Sequence, residues 1–218
     1  MKKLSIFLML MALFAPFAMM GQETFALYED ATGSSSYIPV YGNWADAGDA
    51  TAEFIIPATD IDVMAGGTIS QMTFFLKTQA SAAWDAPYEV YLSETNETTL
   101  TGIVGHDDAT LVFTGTLNGN SATMDVVFSD GYTYGGGNLL VGFYETGDAS
   151  YSSAYFKGVA TSTNTAYYGY TGYNGSFSSS AAQFLPSITF TYELPQGDCE
   201  APATLVADPV DAHEATLT

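Results

Sequence analysis

Ser187-Ile188-Thr189-Phe190-Thr191-Tyr192-Glu193 alternates apolar and polar residues without a break, so in an extended chain Ile188, Phe190 and Tyr192 share one face. Thr123-Met124-Asp125-Val126-Val127-Phe128 does the same with Met124, Val126 and Phe128. A period of two with one apolar face is the mark of a strand buried on one side and solvated on the other, as in a sandwich of antiparallel sheets. Similar short runs rich in Tyr, Phe, Val, Ile and Thr recur between Gly, Asn, Asp and Ser clusters, and helical periodicity is nearly absent after the first 21 residues. The expectation is an all-β, antiparallel, jelly-roll-like β-sandwich of about ten strands. They are placed at 37–41, 51–56, 68–77, 88–93, 110–117, 123–128, 138–144, 153–157, 165–170 and 187–193. The Asn118-Gly119 pair between two of these runs predicts a hairpin, because both residues accept positive φ. Pro57 to Met64, ahead of Gly66-Gly67, predicts a short helix or turn.

Residues 1–21 have the three-part layout of a secretory signal: Lys2 and Lys3, an apolar run from Leu4 to Phe17 interrupted by Pro16, then small residues before Gln22. Cleavage after Gly21 is expected, with a secreted or cell-surface product. No cysteine lies near the cut to accept a lipid, and no second apolar run reaches the length of a membrane span, so no membrane insertion is expected after signal removal. The domain reading is a signal peptide at 1–21, a β-sandwich at 22–193, a linker at 194–200 and an incomplete second module at 201–218.

The chain has 4 basic residues, all lysine, against 24 acidic ones, for a formal net charge of −20. Two of the lysines lie in the leader, so the exported part holds only Lys77 and Lys157. A nucleic-acid partner or an anionic lipid surface needs a basic stripe to neutralise phosphates, and this chain repels both. Disorder is excluded as well: 13% of residues are charged, 47% hydrophobic and 14% aromatic, ample for a core. The single cysteine, Cys199, forms no internal disulfide, and its Pro/Gly-rich surroundings contain nothing to activate a thiol.

Catalytic constellations are sparse. Only His106 and His213 exist, so a histidine-based triad or multi-histidine zinc site has little to build on, and no catalytic residue is assigned. No cofactor is implied. A structural calcium is the one ion the acid clusters suggest, through Asp46 and Asp49 or Asp107 and Asp108, with Asp60 and Asp62 a further pair; the spaced ladder of an EF-hand loop is missing. The sequons at Asn96 and Asn174 read as turn chemistry.

Aromatic residues carry the functional signal. Between Tyr151 and Phe177, tyrosines alternate with Gly, Ser, Thr and Asn, a palette suited to adaptable contacts. Tyr167, Tyr168, Tyr170 and Tyr173, extended by Trp44 and Trp84, form the candidate platform on which sugar faces stack while neighbouring hydroxyls hydrogen-bond. The competing reading makes Tyr168 and Tyr170 cross-strand or core pairs and the tryptophans buried.

Tyr37-Ile38-Pro39-Val40-Tyr41-Gly42-Asn43-Trp44, Glu53 to Ala58, Gly67 to Phe75, Tyr132 to Gly142 and Leu185 to Phe190 together resemble a β-sandwich module of large secreted multidomain proteins from Bacteroidetes. That resemblance implies a jelly-roll relative of the gingipain adhesin domains, in proteins that use type IX secretion. Ala201 to Ala207 and Ala215 to Thr218 are similar to the opening of a fibronectin type III domain. It transfers a fold and a setting and carries no catalytic residue. The functional expectation is a non-catalytic exported adhesin-like module that binds an extracellular glycan or protein, or spaces other domains. The alternative is an accessory domain of a secreted peptidase or glycoside hydrolase whose catalytic domain lies beyond Thr218.

Overall fold

The computed structural model describes residues 21–42, 49–172 and 174–195. The leader up to residue 20, Trp44, Asp46, Tyr173, Cys199, His213 and the second module lie outside the described residues. The described chain runs β1 (Glu23–Leu27), β2 (Gly33–Ser35), β3 (Thr51–Ile56), α1 (Ala58–Ile61) with a 3-10 turn at Asp62–Met64, β4 (Thr68–Thr78), β5 (Ala86–Thr95), β6 (Thr110–Leu117) and β7 (Thr123–Thr133). It continues through β8 (Asn138–Glu145), β9 (Tyr155–Ala160), β10 (Ala166–Thr171), β11 (Phe177–Ala182), β12 (Phe184–Pro186) and β13 (Ile188–Glu193).

These strands form two antiparallel sheets packed face to face, the sandwich that the alternation predicts. A seven-stranded sheet follows the order β1-β13-β4-β9-β12, with β7 added to β4 and β2 to β9; a six-stranded sheet follows β11-β10-β3-β8-β5-β6. Ile188, Phe190 and Tyr192 from β13, and Met124, Val126 and Phe128 from β7, face inward and share one core with Ala86, Tyr88, Val90 and Leu92 of β5. At the centre Phe54, Phe74 and Phe143 meet edge-to-face, with centroids 6.4 Å apart for Phe54–Phe74 and 5.5 Å for Phe74–Phe143. Such pairs add about 0.5–1.5 kcal/mol to their burial. The chain ends its third strand at Pro57 and makes the expected helical turn, with Asn138 Oδ1 accepting from the Ala58 N–H at 2.8 Å.

Two expectations are corrected. The Asn118-Gly119 turn is not a hairpin: β6 pairs with β5 and β7 with β4, so the segment carries the chain from one sheet to the other. Neither residue has positive φ. Asn118 Oδ1 instead accepts from the N–H groups of Trp84 and Asp85 at 2.7 and 2.9 Å, while a Cβ on Gly119 would lie 2.4 Å from the Trp84 ring. The pair is needed because a large ring occupies the corner. Second, Tyr37 to Tyr41 forms bends and no strand; Ile38 and Val40 are driven into the core as single plugs. Four strands escaped the sequence reading, β1, β2, β11 and β12, of which β2 and β12 have three residues each.

Lys77 and Lys157 are both used on one segment, their ammonium groups donating to the carbonyls of Thr32 and Glu29. The glycine-rich turn after β7 wraps a carboxylate: Glu94 accepts from the N–H groups of Gly135 and Gly137, each at 2.6 Å. A Cβ on Gly137 would lie 2.8 Å from that carboxylate, so the run of glycines is the space it needs. Beside it, burial first and the Glu94 charge second push the phenols of Tyr132 and Tyr134 up to about 12.

Gly119→Ala is expected to destabilise the fold by about 1–3 kcal/mol through overpacking against Trp84, read as a lower urea midpoint at unchanged slope. Unfolded tyrosine ionises near pH 10, so the stability held by neutral Tyr132 and Tyr134 is fully present below that pH and declines as pH rises towards about 12. Absorbance at 295 nm should show tyrosines that ionise only above the free-tyrosine range, in step with unfolding; a single transition near pH 10 in a folded protein would contradict this.

Candidate functional site

The period of two in β10 sends Ala166, Tyr168 and Tyr170 to the side facing the other sheet and Tyr167 to the opposite side. At this end of the sandwich the bent segment 36–42 closes the gap. Tyr37 stacks on Tyr168 with centroids 4.3 Å apart and planes 11° apart; Tyr41 meets Tyr168 at 5.5 Å and Tyr170 at 4.9 Å. Tyr41 is buried, while Tyr37, Tyr168 and Tyr170 remain half-buried. Next to them β11 supplies small residues: Ser180 opposite Tyr168 and Ser178 opposite Tyr170. Burial holds the Tyr41 phenol well above its ordinary range, and Tyr170 adds to the effect; burial also raises Tyr168. These phenols stay protonated at neutral pH and act as both donors and acceptors. Because the rings pack on one another, the cluster offers a surface and not a cage.

Of the six aromatic residues read as a platform, the structure brings together Tyr168 and Tyr170. Trp84 is a correction: it is 0% exposed, its indole N–H donates to the Ser152 carbonyl, and its ring packs against Phe156. Its polar sequence neighbours hid a core side chain. Tyr167 lies on the other face of the sheet, packed on a small cluster of Ile55, Leu100 and Leu140. Trp44 and Tyr173 lie outside the described residues. Tyr37 and Tyr41 were missed as site residues; their four-residue spacing, which keeps both on one side of an extended chain, was the available signal.

The outer face of the six-stranded sheet holds a second polar cluster. Glu53 is 0% exposed in the middle of β3, and its carboxylate accepts from the N–H groups of Val104 at 2.6 Å and Gly105 at 2.8 Å and from the Tyr144 hydroxyl. Burial, then the bond to Glu53, raise the Tyr144 phenol far above its usual range. Gly142 leaves room for that ring, since a Cβ there would lie 2.8 Å from it. His106 stacks on Tyr91 at 4.3 Å and meets Tyr144 edge-on at 4.6 Å. With Leu100 seated on Ile55 and Leu140, the segment 96–109 is strapped across the sheet. The imidazole is thus engaged in ring packing.

Of the expected calcium ligands, Asp107 and Asp108 are exposed beside the strap, and Asp49 accepts from the Thr171 hydroxyl at 3.2 Å. Asp60 accepts from the Tyr28 hydroxyl. Among the described residues no three His, Cys, Asp or Glu side chains converge as a metal site, and no helix is long and apolar enough to cross a membrane. The chain matches no family model, no curated protein and no solved structure.

Hydrogen bonds to a charged group are worth about 1.5–3 kcal/mol each. Glu53→Ala should therefore lower stability by about 3 kcal/mol and make residues 101–109 the first site of limited proteolysis, with Glu53→Gln intermediate; an unchanged cleavage pattern would show that the strap is held by Leu100 and His106 alone.

Proposed function

We propose that the chain is an exported, non-catalytic, adhesin-like binding module that takes an extracellular glycan on the Tyr37, Tyr168 and Tyr170 surface. The observation that carries this reading is the gathering of half-buried tyrosines from two separate segments at one end of the sandwich, bordered by the serines of β11. Phenol faces and edges suit the C–H faces of a pyranose, and the protonated phenols with Ser178, Ser180 and Thr171 supply hydroxyl partners. The leader, and the resemblance of the sandwich to secreted adhesin-type modules, support an address outside the cell. The net charge of −20 favours neutral sugars over sulfated or sialylated ones.

The test is a glycan array probed with the full chain and with Tyr168→Ala and Tyr37→Ala variants verified as folded by circular dichroism. Binding to a neutral glycan that weakens about tenfold or more in both variants is expected. Absence of binding to every glycan, or binding that both variants retain in full, would overturn the reading and leave the spacer role.

A further inference from the structure

Among the described residues every sheet edge but one is guarded. β1 carries Glu23, β2 is three residues long, β12 ends in Pro186, and β7 carries Asp125 and Asp130 and slips register on β4. β6 is bulged against β5, and β7 runs beside it, with the Ser129 hydroxyl donating to the Val112 carbonyl. Acids, prolines, bulges and short lengths are the devices that keep a strand from pairing with another chain. β11 has none of them. Phe177–Ala182 pairs with β10 over six residues in unbroken register, contains no charge and no proline, and is exposed over five of its six residues. Among the described residues it pairs with no other strand. Alternate N–H and C=O groups along it therefore point away from β10. The Phe177 ring is folded over Gly169.

We propose that this edge receives an extended, lysine- or arginine-bearing segment of another protein as an added antiparallel or parallel strand. Charge selects the partner. The chain carries a net −20, and Lys77 and Lys157, the basic side chains among the described residues, belong to strands of the other sheet and are bound to the carbonyls of Thr32 and Glu29. Asp49 sits at the end of β10, within 3.2 Å of the Thr171 hydroxyl. A second copy meets like charge, and a six-residue seam is smaller than a stable dimer interface of about 1,200 Å² or more. Ser178 and Ser180 are short, so long cationic side chains at alternate positions of the added strand reach across them to the rings of Tyr168 and Tyr170. Main-chain bonds hold the strand and the tyrosines select its side chains. The anchor is backbone, so this proposal stands whether or not a glycan binds.

The test uses the full chain and three synthetic eight-residue peptides: alternating lysine and threonine, alternating glutamate and threonine, and the lysine peptide with alternate backbone nitrogens methylated. The lysine peptide should bind, slow amide exchange within Phe177–Ala182 and weaken as salt rises; the glutamate and N-methyl peptides should bind at least about tenfold more weakly. Ser179→Pro and Ser180→Pro, of which one faces the open side, should lose the lysine peptide in a variant that stays folded. No binding, equal binding of the N-methyl peptide, or protection elsewhere in the sandwich would overturn the proposal, as would salt-promoted self-association through the same amides.

Discussion

β3 is buried on both faces, and the rest of the sandwich is arranged around that fact. Its inward residues Phe54 and Ile56 build the core between the sheets; its outward residues Glu53 and Ile55 must be covered, since a carboxylate removed from water requires partners. The strap of residues 96–109 meets both needs, placing backbone N–H groups on Glu53 and Leu100 on Ile55. On its flank β3 pairs with β10, which fixes where the tyrosines emerge and leaves β11 as the last strand of the sheet.

A chain with so many acids and so few cations cannot organise itself by ion pairs. Its carboxylates turn to backbone N–H groups: Glu53 to Val104 and Gly105, Glu94 to Gly135 and Gly137, Glu145 to Ala50. Charge-assisted bonds of this kind are stronger than neutral ones and, when partly buried, are screened little by salt. The lysines do the converse, binding carbonyls of the segment after β1. Glycines gather where a carboxylate or ring must approach the main chain, at Gly137 beside Glu94, Gly142 beside Tyr144 and Gly119 beside Trp84. Tight backbone approach thus takes over the role that disulfides and salt bridges play in many other domains.

Much of the architecture was legible in the residues. Short apolar or alternating runs located β3, β6 and β13 to within a residue, and alternation in β7 and β13 identified Met124, Val126, Phe128, Ile188, Phe190 and Tyr192 as inward-facing, because burial of one face of a pleated strand imposes a period of two. β11 stayed hidden, since Phe-Ser-Ser-Ser-Ala-Ala buries neither face and so carries no period. The Asn-Gly pair misled for a related reason: a local turn preference yields when a ring as large as Trp84 must be housed at the crossing between sheets.

The sequence by itself determined the class of fold, the inward faces of its strands and the scarcity of cations, all of which follow from local pattern and composition. Only the tertiary structure decided that Trp84 belongs to the core, that Tyr37 and Tyr41 join Tyr168 and Tyr170, and that β11 is the unguarded edge. Those outcomes depend on which distant segments pair, and the connections that cross between sheets bring together residues more than a hundred positions apart.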